Sequence, residues 1–151
     1  MLPVPIAALR SSSPVLRNPA NRKRSVPLTY QQFRYAFANA IGEAEAKQLY
    51  ETYSVPGSGA MIFQAATANL NPLTQAKVDS KNPSRGPLLI ISADNDHTVP
   101  WSIANAAFKK QRRNDGVTEV VKVPNRGHSL TIDSRWGEVA HTALAFVKRF
   151  A

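Results

Sequence analysis

Two short segments carry side chains that do acid–base chemistry near neutral pH. "ISADNDHTVP", residues 91–100, sets Asp94 and Asp96 just after an apolar run, and "NRGHSL", residues 125–130, sets His128 behind a glycine. An imidazole takes a proton from a hydroxyl at neutral pH, and a buried carboxylate beside it fixes the tautomer and stabilises the imidazolium. The same types in the same places also do plainer work. A loop aspartate caps turns and helix starts, which Asp96 is placed to do ahead of Pro100. His97 and His141 read as surface or packing residues, and Asp133 as a group that ties down the His128 loop. A carboxylate and an imidazole lack one partner for acyl transfer, a nucleophile.

The elements around these segments are those of a parallel α/β unit. "PLLIIS" is an uninterrupted apolar run of strand length, as in a strand covered on both faces. After the "ADNDHTV" loop, Pro100 marks the start of a helix reaching about Arg113, since proline is tolerated in a first turn. "TEVVKVP" predicts a second strand and "NRGHSL" a loop. From Arg135 onward, Trp136, Val139, Ala140, Ala143, Val147 and Phe150 recur on one helical face. Strand, helix, strand, helix puts Asp96 and His128 at corresponding ends of adjacent parallel strands. Two such strands do not make a stable open sheet. Their apolar faces and bare edges call for further strands that the chain does not contain, or for a second copy.

The preceding residues predict helices without strands. Thr29 and Gln32 form a capping-box pattern, followed by Phe33, Phe37, Ala40 and Ile41 at helical spacing. A second helix is expected over roughly 43–53, "VPGSG" at 55–59 is a turn, and "AMIFQAATANL" is a short apolar helix that Asn71-Pro72 stops. Pro3, Pro5, Pro14, Pro19 and Pro27 interrupt residues 1–27 and predict an irregular basic arm. The prolines also argue against a transit or secretory peptide there.

At 151 residues, with 43% hydrophobic and 19% charged residues, the chain suits one globular domain. Cysteine is absent, which excludes disulfides and thiolate chemistry. No apolar run approaches the roughly 20 residues of a membrane span. A cytoplasmic location is the expectation. Lys plus Arg number 19 against 10 Asp plus Glu, a formal charge of +9. The basic residues lack interleaved aromatics, and "KKQRR" falls at a predicted helix end where positive charge suits the dipole. Solvated faces explain this charge better than a nucleic-acid surface.

Taken together, the apolar strand, "ADNDHTVP", the second strand and "NRGHSL" resemble the C-terminal part of the α/β-hydrolase superfamily. The helical block before them resembles its cap, down to the opening "LRNPANRKRSVPLT". The resemblance covers nearly the whole chain. It implies an incomplete α/β-hydrolase fold: a basic arm over 1–27, a helical cap over 28–80, and the last two parallel strand–helix units over 81–151. The family's triad runs Ser, Asp or Glu, then His. Carried over, Asp96 matches the acid, with its spacing to Val99-Pro100 favouring it over Asp94, and His128 matches the base.

The family's nucleophile stands in Gly-x-Ser-x-Gly on a strand-to-helix turn, and no such pattern occurs here. In "PGSGA" the glycines adjoin Ser58, which reads as a turn residue. Ser92 and Ser129 flank the site in sequence but stand on no elbow. The nucleophile is therefore expected outside this chain. The resemblance implies acyl hydrolysis of a small apolar ester-like substrate, with no metal or cofactor, and an isolated chain inactive without its N-terminal half. Phe33, Phe37, Tyr50, Tyr53, Met61 and Phe63 are candidates to line the substrate pocket, or simply to pack the cap. The rival readings are a non-catalytic assembly protein whose open sheet edge recruits another chain, and a basic nucleic-acid binder.

Overall fold

The computed structural model describes residues 5–68 and 70–151. Residues 1–4 of the expected arm lie outside these, and the rest is not irregular: Ile6–Leu16 forms helix α1. Its prolines fall where a helix tolerates them. Pro5 is the N-cap and Pro14 stands near the helix's end. Proline cannot donate to the carbonyl of Arg10 four residues back, and Ser13 Oγ donates to it instead at 2.9 Å. Pro19 opens a 3-10 turn over Pro19–Lys23, where its missing N–H is not needed.

A two-residue strand β1 (Ser25–Val26) pairs antiparallel with β2 (Gly57–Ser58). This corrects the reading of 55–59 as a plain turn inside a strandless block. A bridge so short carries no alternation to read. Between the two lie α2 (Tyr30–Ala36) and α3 (Glu43–Tyr53), with α4 (Gly59–Thr67) following β2. The capping box of α2 is complete: Gln32 N donates to Thr29 Oγ1, and Thr29 N donates to Gln32 Oε1 at 2.9 Å. Phe33, Ala38, Ala46 and Leu49 make a core between α2 and α3, closed by Tyr30, Phe37 and Tyr50. Thus Phe33 and Tyr50 pack the helices, while Tyr53 is exposed.

The second half is an α/β unit. Strands β3 (Leu88–Ala93) and β4 (Thr118–Val123) are parallel, in register from Leu88 opposite Thr118 to Ala93 opposite Val123. Helix α5 (Trp101–Gln111) crosses between them, and α6 (Trp136–Val147) follows β4. A second core joins Ile91 and Ala93 of β3 to Leu130 and Val139. The strands lie two abreast, so most of β3 is only half-buried and each strand keeps one unpaired edge among the described residues. The apolar face expected over 136–150 is covered only in part: Val139 and Phe146 are buried, while Trp136, Leu144, Val147 and Phe150 are exposed. Among the described residues no helix is long and apolar enough to cross a membrane.

Gly59 marks where α4 meets the 3-10 turn. A Cβ there would stand 1.9 Å from the carbonyl oxygen of Asn21 and 2.7 Å from its carbon, both backbone atoms that cannot swing aside. Gly59→Ala is expected to destabilise the fold by about 2–4 kcal/mol. Gly137→Ala, in α6 with nothing within 4 Å of the added carbon, should be neutral or stabilising by up to about 1 kcal/mol. Denaturant unfolding of the two variants checks the contrast.

Candidate active site

The loops after β3 and β4 begin as continuations of the sheet. Asp94 N donates to Val123 O at 3.1 Å and Asn95 N to Arg126 O at 3.0 Å, so the two loops leave the strand ends together. Asn125, the one described non-glycine residue with positive φ, at 55°, turns the second loop back over the first.

Asp96 is 6% exposed and divides its carboxylate between two tasks. Oδ1 accepts from the backbone N–H of Thr98 and of Val99, each at 2.7 Å, which folds its own loop. Oδ2 faces Nδ1 of His128 at 2.8 Å. Asp96 therefore caps a turn rather than α5, whose N-cap Pro100 receives no side-chain bond. Burial pushes the Asp96 carboxyl up, but the bond from His128, the Val99 and Thr98 amides and, when the ring is protonated, the charge of the imidazolium together outweigh it and hold the group below its ordinary range. An ionised carboxylate only accepts, so Nδ1 carries the proton and donates it to Oδ2. Nε2 is left on the side of the ring away from Asp96, on a side chain 29% exposed, and bears the lone pair in the neutral ring. Asp94, the alternative carboxylate, forms no hydrogen bond or ion pair with His128 among the described residues.

His128 is fixed from three further sides. The Phe37 ring meets the imidazole edge-on, centroids 4.9 Å apart, and Phe37 O accepts from Ser129 N at 3.0 Å. A Cβ on Gly127 would stand 2.7 Å from Asn39 Oδ1 and 3.3 Å from the Ala40 Cβ, so the residue ahead of the histidine packs closely on the α2–α3 turn and a side chain there would displace Asn39. Beneath the loop, Arg126 is 1% exposed. Its guanidinium pairs with buried Asp133, reaches Glu138 at 3.2 Å, and donates to the carbonyls of Leu130 at 3.1 Å and Arg135 at 3.2 Å. Asp133 also accepts from Ser129 Oγ at 3.3 Å and from Arg135 N at 3.0 Å, so it does hold the His128 loop.

The part played by Arg126 was not legible beforehand. An arginine in a polar loop looks solvated, and only its spacing of seven residues to Asp133 hints at a pair. The α2 end was missed as well. Its carbonyls accept from both loops: Tyr35 O faces His97 Nδ1 at 2.9 Å, Ala36 O accepts Thr98 Oγ1 at 2.8 Å, and Phe37 O accepts Ser129 N. His97 is thus a packing residue, stacked against Tyr35 with centroids 4.4 Å apart. His141 bonds only within its own helix, to Gly137 O.

No described serine hydrogen-bonds His128. Ser129 is buried and committed to Asp133, Ser92 is buried in β3 with its hydroxyl toward Ala93 O, and Ser58 lies in β2. Among the described residues no three His, Cys, Asp or Glu side chains come together as a metal site would require. No protein-family model, curated protein or solved structure matches the chain.

Two measurements probe this arrangement. Because the Asp96 carboxyl is held below its unfolded value of about 3.9, the stability it contributes is complete above that pH. It is lost as pH falls through the lower folded value. Asp96→Asn should therefore flatten the decline in stability below about pH 4, followed by urea unfolding against pH. Arg126→Ala strands buried Asp133 and should lower stability by about 3–5 kcal/mol, with faster amide exchange at Ser129 and Ile132.

Proposed function

We propose that Asp96 and His128 are the acid and base of a serine hydrolase of the α/β-hydrolase kind, acting on ester-like acyl substrates, with the nucleophilic serine supplied from outside these residues. The observation that carries the reading is the 2.8 Å bond from His128 Nδ1 to buried Asp96 at the ends of two adjacent parallel strands. Each feature suits a general base. The proton sits on the nitrogen facing the carboxylate, the other nitrogen is accessible, and the ring plane is set by Phe37.

In this scheme Nε2 of His128 takes the serine hydroxyl proton as the oxygen bonds to the acyl carbon. Asp96 stabilises the imidazolium so formed. The imidazolium then gives its proton to the departing alcohol oxygen as the tetrahedral adduct collapses to an acyl-enzyme; water, deprotonated by the same nitrogen, adds to the acyl carbon, and the imidazolium returns that proton to the serine oxygen as the acid departs. The oxyanion donors would come with the nucleophile. The helical block over 30–53 holds the two loops in place and would act as the fixed side of a cap.

A second reading, an assembly protein without catalysis, draws on the exposed apolar side of α6 and the bare edges of β3 and β4. In the hydrolase reading the same surfaces receive the rest of the sheet.

A fluorophosphonate probe separates the two. The 151-residue chain alone should leave Ser58, Ser92 and Ser129 unlabelled. Joined to a segment bearing Gly-x-Ser-x-Gly, it should label at that serine, and His128→Ala should slow labelling by on the order of 10^4-fold or more. Strong labelling of a serine within these residues would contradict the proposal.

A further inference from the structure

Beside the Asp96–His128 pair a cleft of about 1160 Å³ runs between α1, α4 and α5. Leu9 and Val15 of α1, Met61 and Ile62 of α4, Ile103 of α5 and the Phe37 ring form its apolar walls. Three strongly exposed apolar side chains, Val55, Met61 and Val78, line this cleft, whereas Ile6, Leu70 and Leu73 are exposed elsewhere. A concave apolar surface of this size is of the kind that takes a small molecule rather than a stray exposed residue. Phe37 links it to the site, one ring lining the cleft and touching His128.

The charges along the cleft have one sign. Lys77, Lys109, Lys110 and Arg113 line it, and no aspartate or glutamate does. None of the four forms an ion pair among the described residues. Lys109 and Lys110 lie in the last turn of α5 and Arg113 just beyond its C-cap, so three of the four lining cations come from one end of that helix. Unpaired cations at the rim of a low-dielectric cleft attract and orient an anionic group more strongly than the same cations on an open face. A nucleic acid would instead require a basic track along an exposed face with base-stacking aromatics.

We infer that this cleft binds a single-chain amphiphile with an anionic head, its chain along α1 and α4 and its carboxylate-like group at Lys109, Lys110 and Arg113. Binding rather than turnover defines the site, so it stands or falls separately from the acid–base reading of Asp96 and His128.

Sodium dodecanoate, titrated calorimetrically below its micelle concentration into the 151-residue chain, tests this. Saturable binding of one molecule per chain is expected. Dodecyl maltoside, with the same chain and a neutral head, should bind about tenfold more weakly. The Lys109→Gln, Lys110→Gln, Arg113→Gln triple variant, altered only at exposed positions, should lose about tenfold in dodecanoate affinity and nothing in maltoside affinity. Met61→Glu, which sets a carboxylate in the apolar wall, should also weaken dodecanoate. Absence of binding, equal affinity for the two amphiphiles, or unchanged affinity in the triple variant would overturn the inference. So would a dimer in sedimentation that Met61→Glu abolishes, because it would assign the cleft to a second copy.

Discussion

The C-terminal end of α2 is the constraint on which the site depends. A helix ends with carbonyls that have no partner within it, and buried ones must find donors elsewhere. Here Tyr35, Ala36 and Phe37 find theirs in His97, Thr98 and Ser129. Those donors belong to two loops separated by some thirty residues of sequence, and each loop carries one member of the Asp96–His128 pair. Satisfying one helix end therefore sets the distance between Asp96 and His128. The turn beyond α2 is itself held by Arg34, which donates to the carbonyls of Ala38 and Ile41 and pairs with Glu43.

Further bonds lock the same junction. Asn39 Nδ2 donates to Asn95 O at 2.8 Å, and Glu45 accepts from Ser134 N. From below, the buried Arg126–Asp133 pair organises residues 126–135 around a single guanidinium. A buried ion pair is a poor source of net stability, but it penalises every arrangement that separates its members. The loop it organises holds one imidazole in one orientation. Asp96 works similarly on its side, since the oxygen not facing His128 is consumed in shaping its own turn. Rotating the carboxylate to abandon His128 would also unfold that turn.

How far the sequence foretold this depends on the range of the interactions involved. The strands around "PLLIIS" and "TEVVKVP", the helix after Pro100 and the α2 capping box are local patterns of period, breaker and cap, and each lies where those patterns put it. The pairing of Asp96 with His128 was expected from the family resemblance, and a parallel topology that brings equivalent strand ends together made it geometrically reasonable. What stayed hidden was non-local or too short for a pattern. The α1 helix tolerates Pro14 through one serine hydroxyl, and β1–β2 is a two-residue bridge. The α2 carbonyls meet donors some sixty to ninety residues away. Buried Arg126 looks like any surface arginine until its partners are known. For α6, helical period showed that one face is apolar but not what covers it, and Trp136, Val147 and Phe150 on that face are exposed.

Asp96 holds the neutral His128 imidazole in one tautomer, proton on Nδ1 and lone pair on Nε2. Nitrogen-resolved magnetic resonance of the histidine rings in the 15N-labelled chain at neutral pH reads this directly. The prediction is a strongly downfield Nδ1 proton for His128, slow to exchange and lost in Asp96→Asn. A ring protonated on Nε2 alone, or a ring averaging both tautomers with no such proton, would contradict it.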